Sequence, residues 1–366
     1  MQTKAIVAQP EGRGFTIENI KLDAPRDDEV LVEIKGVGLC HTDLAFSSGA
    51  APFPLPGILG HEGAGIVQAV GKDVVKVSAG DHVAISFRSC GACDRCQTGD
   101  PAYCRTMPLL NYVGTRLDGT SSSQLDDIKL GSNFFGQSSF AHHALTYERN
   151  VVKVDTDLPL EIMGPLGCGV QTGAGGVMRS LAADAESSIL ILGGGAVGLS
   201  AVMGAKIQEC STIAVLEPYA TRREMALSFG ATHVLDPEGL NLLLAIQEIH
   251  PEGVDYIFDT TGNPDVIESA ATCLGSKGVF GIVGICPPGT PVPGDLMNMI
   301  TFGHTIKGII EGDSDPDKFI PELINHYRQG RLPFDKMIKV YPFSEISAAV
   351  KDQQDGKCTK VVLIPD

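Results

Sequence analysis

The sequence predicts an α/β protein of two domains, one mainly β and one built on a doubly wound parallel sheet covered by helices. Three observations predict it. The chain has 366 residues, more than one hydrophobic core usually serves, and that length favours about two domains. Its first part is a series of short β-branched segments. From about residue 170, apolar strand-like segments alternate with helical ones.

In the first part, "KAIVA" (4–8), "EVLVEIKGVGLC" (29–40), "GAGIVQAV" (63–70) and "DHVAIS" (81–86) are separated by Gly, Pro and Asp, as strands joined by turns are. This spacing predicts a small barrel or sandwich, with many of the 43 glycines in turns and bulges. In the second part, "SSILILGGGAVGLSAVMGAKI" (187–207) reads as a buried strand, a glycine turn and an Ala/Gly-rich helix. "STIAVLEP" (211–218) is a further strand, followed by the helical "YATRREMALSFGA". "THVLD" (232–236), "VDYIFDTTG" (254–262), "GVFGIVGI" (278–285) and "HTIKGII" (304–310) continue the series. Such βαβ repetition implies a parallel sheet. The tail ends in the strand-like "TKVVLI" and is expected back against the first domain. The predicted domains are therefore residues 1–169 with 311–366, and residues 170–310.

Composition excludes several function classes. The formal net charge is −16, which argues against nucleic acid or an anionic membrane as partner, since both need a positive surface. The N-terminal "MQTKAIVAQPEGRGF" has no apolar core of signal-peptide length. No run reaches the ~18 apolar residues of a membrane span. A cytoplasmic protein with reduced thiols is expected.

"GGGAVG" (193–198) places Gly193, Gly195 and Gly198 as G-x-G-x-x-G, between the apolar "ILIL" and a helix. That is the context of a Rossmann dinucleotide site. Gly193 permits the tight turn, Gly195 lets a pyrophosphate approach, and Gly198 lets helix and strand pack closely. Glu217 ends the next strand, where a carboxylate holds the adenosine ribose hydroxyls and repels a 2′-phosphate. NAD is thus favoured over NADP, although Arg222 and Arg223 follow closely. The bland alternative is a tight turn in a plain fold of this class.

Four of the ten cysteines, Cys90, Cys93, Cys96 and Cys104, fall in "CGACDRCQTGDPAYC". Three thiols this close pair poorly as disulfides. Four thiolates close a tetrahedral zinc shell and leave no open position, so a structural zinc is expected. Cys40, His61 and Cys168 could form a second, open zinc site. Spacing alone does not bring them together, and singly each reads as an ordinary core residue.

The combination resembles the zinc-dependent medium-chain alcohol dehydrogenases. "GHEGAGIVQAVGKDV" is similar to that family's zinc-binding signature, and the resemblance runs in order along essentially the whole chain. It implies a GroES-like catalytic domain and a Rossmann NAD domain. It implies two zinc ions per subunit, the catalytic one on Cys40, His61 and Cys168. Glu62 would be a transient ligand or tune the zinc's charge, Asp43 would orient His61, and Thr42 would take the alcohol proton. Thr172 and Val197 would flank the nicotinamide, and His41 and Lys360 would contact the pyrophosphate, with Arg222 near the cofactor. Phe134, Phe135 and Ile285 would line the substrate pocket, although the Phe pair alone reads as core.

Two departures stand out. Where many members end a proton relay with histidine, this chain has Ala45, and where many carry arginine on the pyrophosphate it has His41. "CHTDL", the missing relay histidine and the Phe pair are most similar to the aryl-alcohol (benzyl alcohol) dehydrogenase branch, so a small primary aromatic alcohol and its aldehyde are the expected substrates. The alternatives are a general primary alcohol dehydrogenase of the same family, its S-(hydroxymethyl)glutathione branch, whose anionic adduct would want basic residues such as Arg88, Arg105 or Arg116, and a non-catalytic NAD-binding zinc protein. The family also implies a homo-oligomer, dimer or tetramer, with "GVFGIVGI" as a candidate seam.

Overall fold

The computed structural model describes residues 1–366. The chain forms two compact units: Met1–Gly169 with Asp315–Glu322 and Met337–Asp366, and Val170–Ser314 with Leu323–Lys336. Residues 311–314 and 323–336, grouped with the tail by the sequence reading, belong to the second unit. No helix is long and apolar enough to cross a membrane.

The first unit is built around the long strand Glu29–Leu39. It pairs with Gly63–Val70, His143–Tyr147 and the terminal strand Lys360–Ile364, all antiparallel. Ile338–Pro342, His82–Ile85 and Val151–Lys153 complete this sheet. Its alternating apolar side chains are buried: Val30, Val32, Val83 and Val362 are fully inaccessible. Gly65 lets the central pair close up, since a Cβ there would lie 2.1 Å from the Glu33 carbonyl oxygen. A second sheet runs Gln2–Ala8, Phe15–Leu22, Ser123–Leu125 and Ile128–Lys129. The end of Glu29–Leu39 and the start of Gly63–Val70 deliver Cys40 and His61 to one place.

The second unit holds a six-stranded parallel sheet. In spatial order its strands are His233–Leu235, Thr212–Leu216, Ser188–Leu192, Val254–Asp259, Leu274–Ile282 and Thr305–Gly308. Chain order reverses between Ser188–Leu192 and Val254–Asp259, and at the carboxyl ends of such strands a doubly wound fold binds its ligand. Leu190, Leu192, Val254, Ile257 and Phe280 form the core with Ile246 and Ile267 from the helices. The candidate seam "GVFGIVGI" lies near the edge: Leu274–Ile282 is one strand in, between Val254–Asp259 and the edge strand Thr305–Gly308.

Candidate metal centres and cofactor site

Cys40 follows the central strand and caps the helix His41–Ser47. His61 and Glu62 stand just before Gly63–Val70, and Cys168 follows the turn Gly164–Gly167. The donor atoms of Cys40, His61, Glu62 and Cys168 all lie within 4.8 Å of one another. Asp43, also fully buried, accepts from His61 Nδ1 at 2.9 Å, from the Gly60 N–H at 3.0 Å and from the Cys40 N–H at 2.9 Å. This fixes the ring and leaves Nε2 buried with no protein partner. An orphaned imidazole nitrogen among two thiols and a carboxylate is a donor set that fits zinc. Without a metal, burial pulls the His61 pKa down, but the charge and hydrogen bond of Asp43 outweigh that and hold it well above its ordinary value. The hydrogen bond from Cys168 outweighs burial at Cys40 and holds that thiol well below the usual range.

Glu62 accepts from the Gly169 N–H at 3.0 Å and forms an ion pair with Lys360. Burial raises the Glu62 pKa, opposed by the Lys360 charge. Lys360 is only 2% exposed and also donates to the Leu39 carbonyl at 3.2 Å. Its ammonium is turned inward, where Glu62 compensates its buried charge. His41 is exposed and Thr42 half-buried, with the Thr42 hydroxyl 3.7 Å from Cys40 Sγ. Ala45 offers no side-chain acceptor.

Phe135 stacks on His61 with centroids 4.4 Å apart and planes at 23°, and Phe134 meets the same imidazole edge-on at 5.5 Å. Phe46 and Phe53 pack on Phe134 at 4.9 and 5.3 Å, and Tyr112 on Phe135 at 5.3 Å. Those three rings were missed by the sequence reading. Phe46 had a signal, since it lies one helical turn beyond Thr42 and Asp43. Ile285 is in the second unit and 63% exposed.

In the cysteine lobe, Cys93 Sγ lies 3.6 Å from Cys96 Sγ and 4.0 Å from Cys104 Sγ, and Cys90 Sγ lies 3.9 Å from Cys96 Sγ. These separations exceed a disulfide's ~2.05 Å and fit the ~3.8 Å edge of a tetrahedron with Zn–S near 2.3 Å. The Ala92 and Cys93 N–H groups point at Cys90 Sγ. Gly91, at φ +72°, turns the loop. Arg105 holds Asp94 through two 2.7 Å bonds across the lobe.

In the second unit the three motif glycines have three different environments. Gly193 has φ +93°, and a Cβ on Gly198 would lie 1.8 Å from the Gly193 carbonyl oxygen. A Cβ on Gly195 would meet no protein atom within 4 Å. Packing therefore does not demand glycine at 195, whereas a ligand approaching the start of helix Ala196–Ile207 does. Val197 sits in that first turn. Glu217 is 2% exposed and accepts from the Gly194 N–H at 2.6 Å and the Tyr219 N–H at 2.9 Å. Arg223 is held by the Glu217 carbonyl and by Asp236, and Arg222 lies over the Tyr219 ring. Thr172 is buried, its hydroxyl 3.5 Å from Glu311. The glycine turn at the start of helix Ala196–Ile207 fits a dinucleotide phosphate.

Residues 26–156 match the family model "Alcohol dehydrogenase GroES-like domain", and residues 196–326 match "Zinc-binding dehydrogenase". Geraniol dehydrogenase of Castellaniella defragrans is 44% identical, over 100% of this chain and 98% of its own length. The chain belongs to the zinc-dependent medium-chain alcohol dehydrogenases. The crystal structure of benzyl alcohol dehydrogenase from Acinetobacter calcoaceticus superposes with a TM-score of 0.97 at 40% identity, covering 100% of both chains. S-(hydroxymethyl)glutathione dehydrogenase of Saccharomyces cerevisiae is 32% identical, over 99% of this chain and 96% of its own. The family's two parts, GroES-like and zinc-binding dehydrogenase, are the mainly β and the doubly wound halves of this α/β fold.

Proposed function

We propose that this chain reversibly oxidises a primary aromatic (benzyl-type) alcohol to its aldehyde, with NAD as hydride acceptor and two zinc ions per chain. The observation that carries the reading is the aromatic wall: Phe135 and Phe134 lie directly on the metal-binding imidazole of His61. Phe134 is fully inaccessible and Phe135 is 5% exposed, so Phe135, backed by Phe134, is the ring on which a flat apolar substrate with its oxygen held at that metal would pack. Two similar proteins named for geraniol and benzyl alcohol support it, since both alcohols carry an unsaturated carbon beside the carbinol.

Cys40, His61 and Cys168 would hold the catalytic zinc, which when bound lowers the pKa of an alcohol oxygen. NAD supplies the hydride acceptor. The chain's own groups do the rest. Asp43 keeps the His61 tautomer with Nε2 directed at the metal. The Thr42 hydroxyl takes the alcohol proton, and with Ala45 in place of the relay histidine the proton would leave through cofactor ribose and water or by another route. Cys90, Cys93, Cys96 and Cys104 would hold the structural zinc. Gly193, Gly195, Gly198 and Glu217 would hold NAD, with Val197 and Thr172 beside the nicotinamide. A homo-oligomer in the cytoplasm remains the expected state.

The glutathione-adduct reading is disfavoured by the cations it would need. Arg116 is buried in ion pairs with Glu29 and Asp23, Arg105 is bound to Asp94, and Arg88 stacks on Tyr147. The complete Cys40, His61 and Cys168 set weighs against a non-catalytic protein. Initial rates of NADH formation with benzyl alcohol, ethanol and S-(hydroxymethyl)glutathione test the reading. A preference for the glutathione adduct would refute it.

A further inference from the structure

A buried polar hub joins the aromatic wall to the metal ligands, and Gln137 is its centre. Its side-chain amide is fully used. Nε2 donates to the His61 carbonyl at 2.9 Å and the Ser86 carbonyl at 3.1 Å. Oε1 accepts from the Gly63 N–H at 3.1 Å and the Ser139 hydroxyl at 2.7 Å. Two carbonyls on one side and two donors on the other admit only one amide orientation. Gln137 is 1% exposed, so each of these bonds lies out of water and is costly to leave unmade. Gly63 is required beside it, because a Cβ there would lie 2.3 Å from Ser139 Oγ.

The hub extends in two directions. Ser86 donates its hydroxyl to the Gly167 carbonyl at 2.7 Å, immediately before Cys168. Asn150 Nδ2 donates to the Ser86 carbonyl at 3.0 Å and to the Phe135 carbonyl at 2.9 Å. The segment so gripped is strained: Asn133, Phe135, Gly136 and Ser138 have φ of 58°, 51°, 64° and 51°. Such left-handed non-glycine residues persist only where their surroundings over-determine them. In this conformation the Phe135 ring lies flat on His61.

We propose that Gln137 is a positioning residue that fixes the spacing between the Phe134–Phe135 wall and the metal-binding His61, and through it the enzyme's selectivity for flat ring alcohols. Gln137 itself hydrogen-bonds only to backbone and to Ser139, so it acts through the groups it holds. The selectivity half of this proposal rests on the aryl-alcohol reading above; the half concerning His61 does not.

The test uses Gln137→Met, which keeps the volume and removes all four hydrogen bonds, compared with wild type as zinc enzyme and with cobalt(II) in the catalytic site. Wild type is expected to prefer benzyl alcohol over ethanol. In the variant the ratio of their kcat/KM values should fall roughly tenfold, mainly through a higher KM for benzyl alcohol. The visible cobalt absorption should shift as His61 moves. Equal losses for both alcohols with an unshifted cobalt spectrum would overturn the proposal. If wild type shows no preference for the ring, the aryl-alcohol reading fails, and the cobalt spectrum alone then decides whether Gln137 positions His61. If Gln137→Met does not fold, Ser139→Ala, which removes one bond of the four, carries the same measurements. A severalfold smaller ratio would support the proposal and an unchanged ratio and spectrum would overturn it.

Discussion

Asp43 Oδ1 lies 2.9 Å from His61 Nδ1, and both side chains are completely buried. The carboxylate accepts three hydrogen bonds, two of them from backbone, so it cannot turn away from the ring. Replacing it by asparagine sets an NH2 group against at least one of those donors. Asp43→Asn should therefore weaken zinc at the Cys40, His61 and Cys168 site by about 10- to 100-fold, while the four-cysteine lobe keeps its metal. Titration with a chelator, reading one fast and one slow zinc, checks this.

Arg116 predicts a purely structural effect. Its guanidinium donates to Glu29 through two bonds and to Asp23, and Glu29 is 1% exposed. Arg116→Met leaves a buried carboxylate unpaired and should cost about 3–5 kcal/mol of stability. The double variant Arg116→Met with Glu29→Leu should recover most of that loss. Urea denaturation of the three proteins measures both. Unimpaired stability of the single variant would show that Glu29 finds another partner.

Cofactor choice should depend on Glu217. Loss of hydrogen bonds to a charged group, about 1.5–3 kcal/mol, predicts that Glu217→Ala binds NAD at least about tenfold more weakly. NADP should lose less, because the like-charge repulsion of its 2′-phosphate is removed with the carboxylate. Dissociation constants for the two cofactors give the ratio.

A pH effect follows from Asp352, which ties the helix Ile346–Gln354 to the strand Ile338–Pro342. The Tyr341 hydroxyl donates to it at 2.8 Å, and Lys339 and Lys357 lie at 3.1 and 3.3 Å. The Tyr341 hydrogen bond, then those lysines, lower its pKa to about 2. A depressed folded-state pKa adds stability above the unfolded value of about 3.9, and that stability is lost as pH falls toward 2. The melting-temperature difference between wild type and Asp352→Asn should be constant from neutrality to about pH 5 and shrink below about pH 4. A difference that grows on acidification would contradict the assignment.

The second half of the fold was legible because buried parallel strands are written as continuous apolar runs, "ILIL" and "IAVL" among them, punctuated by a glycine turn. The cysteine lobe was legible because its ligands are close in sequence. The open metal site was not: Cys40, His61 and Cys168 come from three distant segments, and only the family resemblance joined them. Lys360 shows a different limit. The resemblance suggested only a pyrophosphate contact for it, and nothing in the sequence signalled that the strand Lys360–Ile364 is buried along nearly its whole length or that Glu62 receives the charge. The rings of Phe46, Phe53 and Tyr112 converge on the Phe pair only through tertiary packing.

The most direct test of the central claim is NADH formation at 340 nm by the purified protein with benzyl alcohol, ethanol and S-(hydroxymethyl)glutathione, with zinc determined on the same sample. The account predicts fastest turnover of benzyl alcohol and two zinc ions per chain. Preference for the glutathione adduct, or two zinc ions with no turnover of any alcohol, would contradict it.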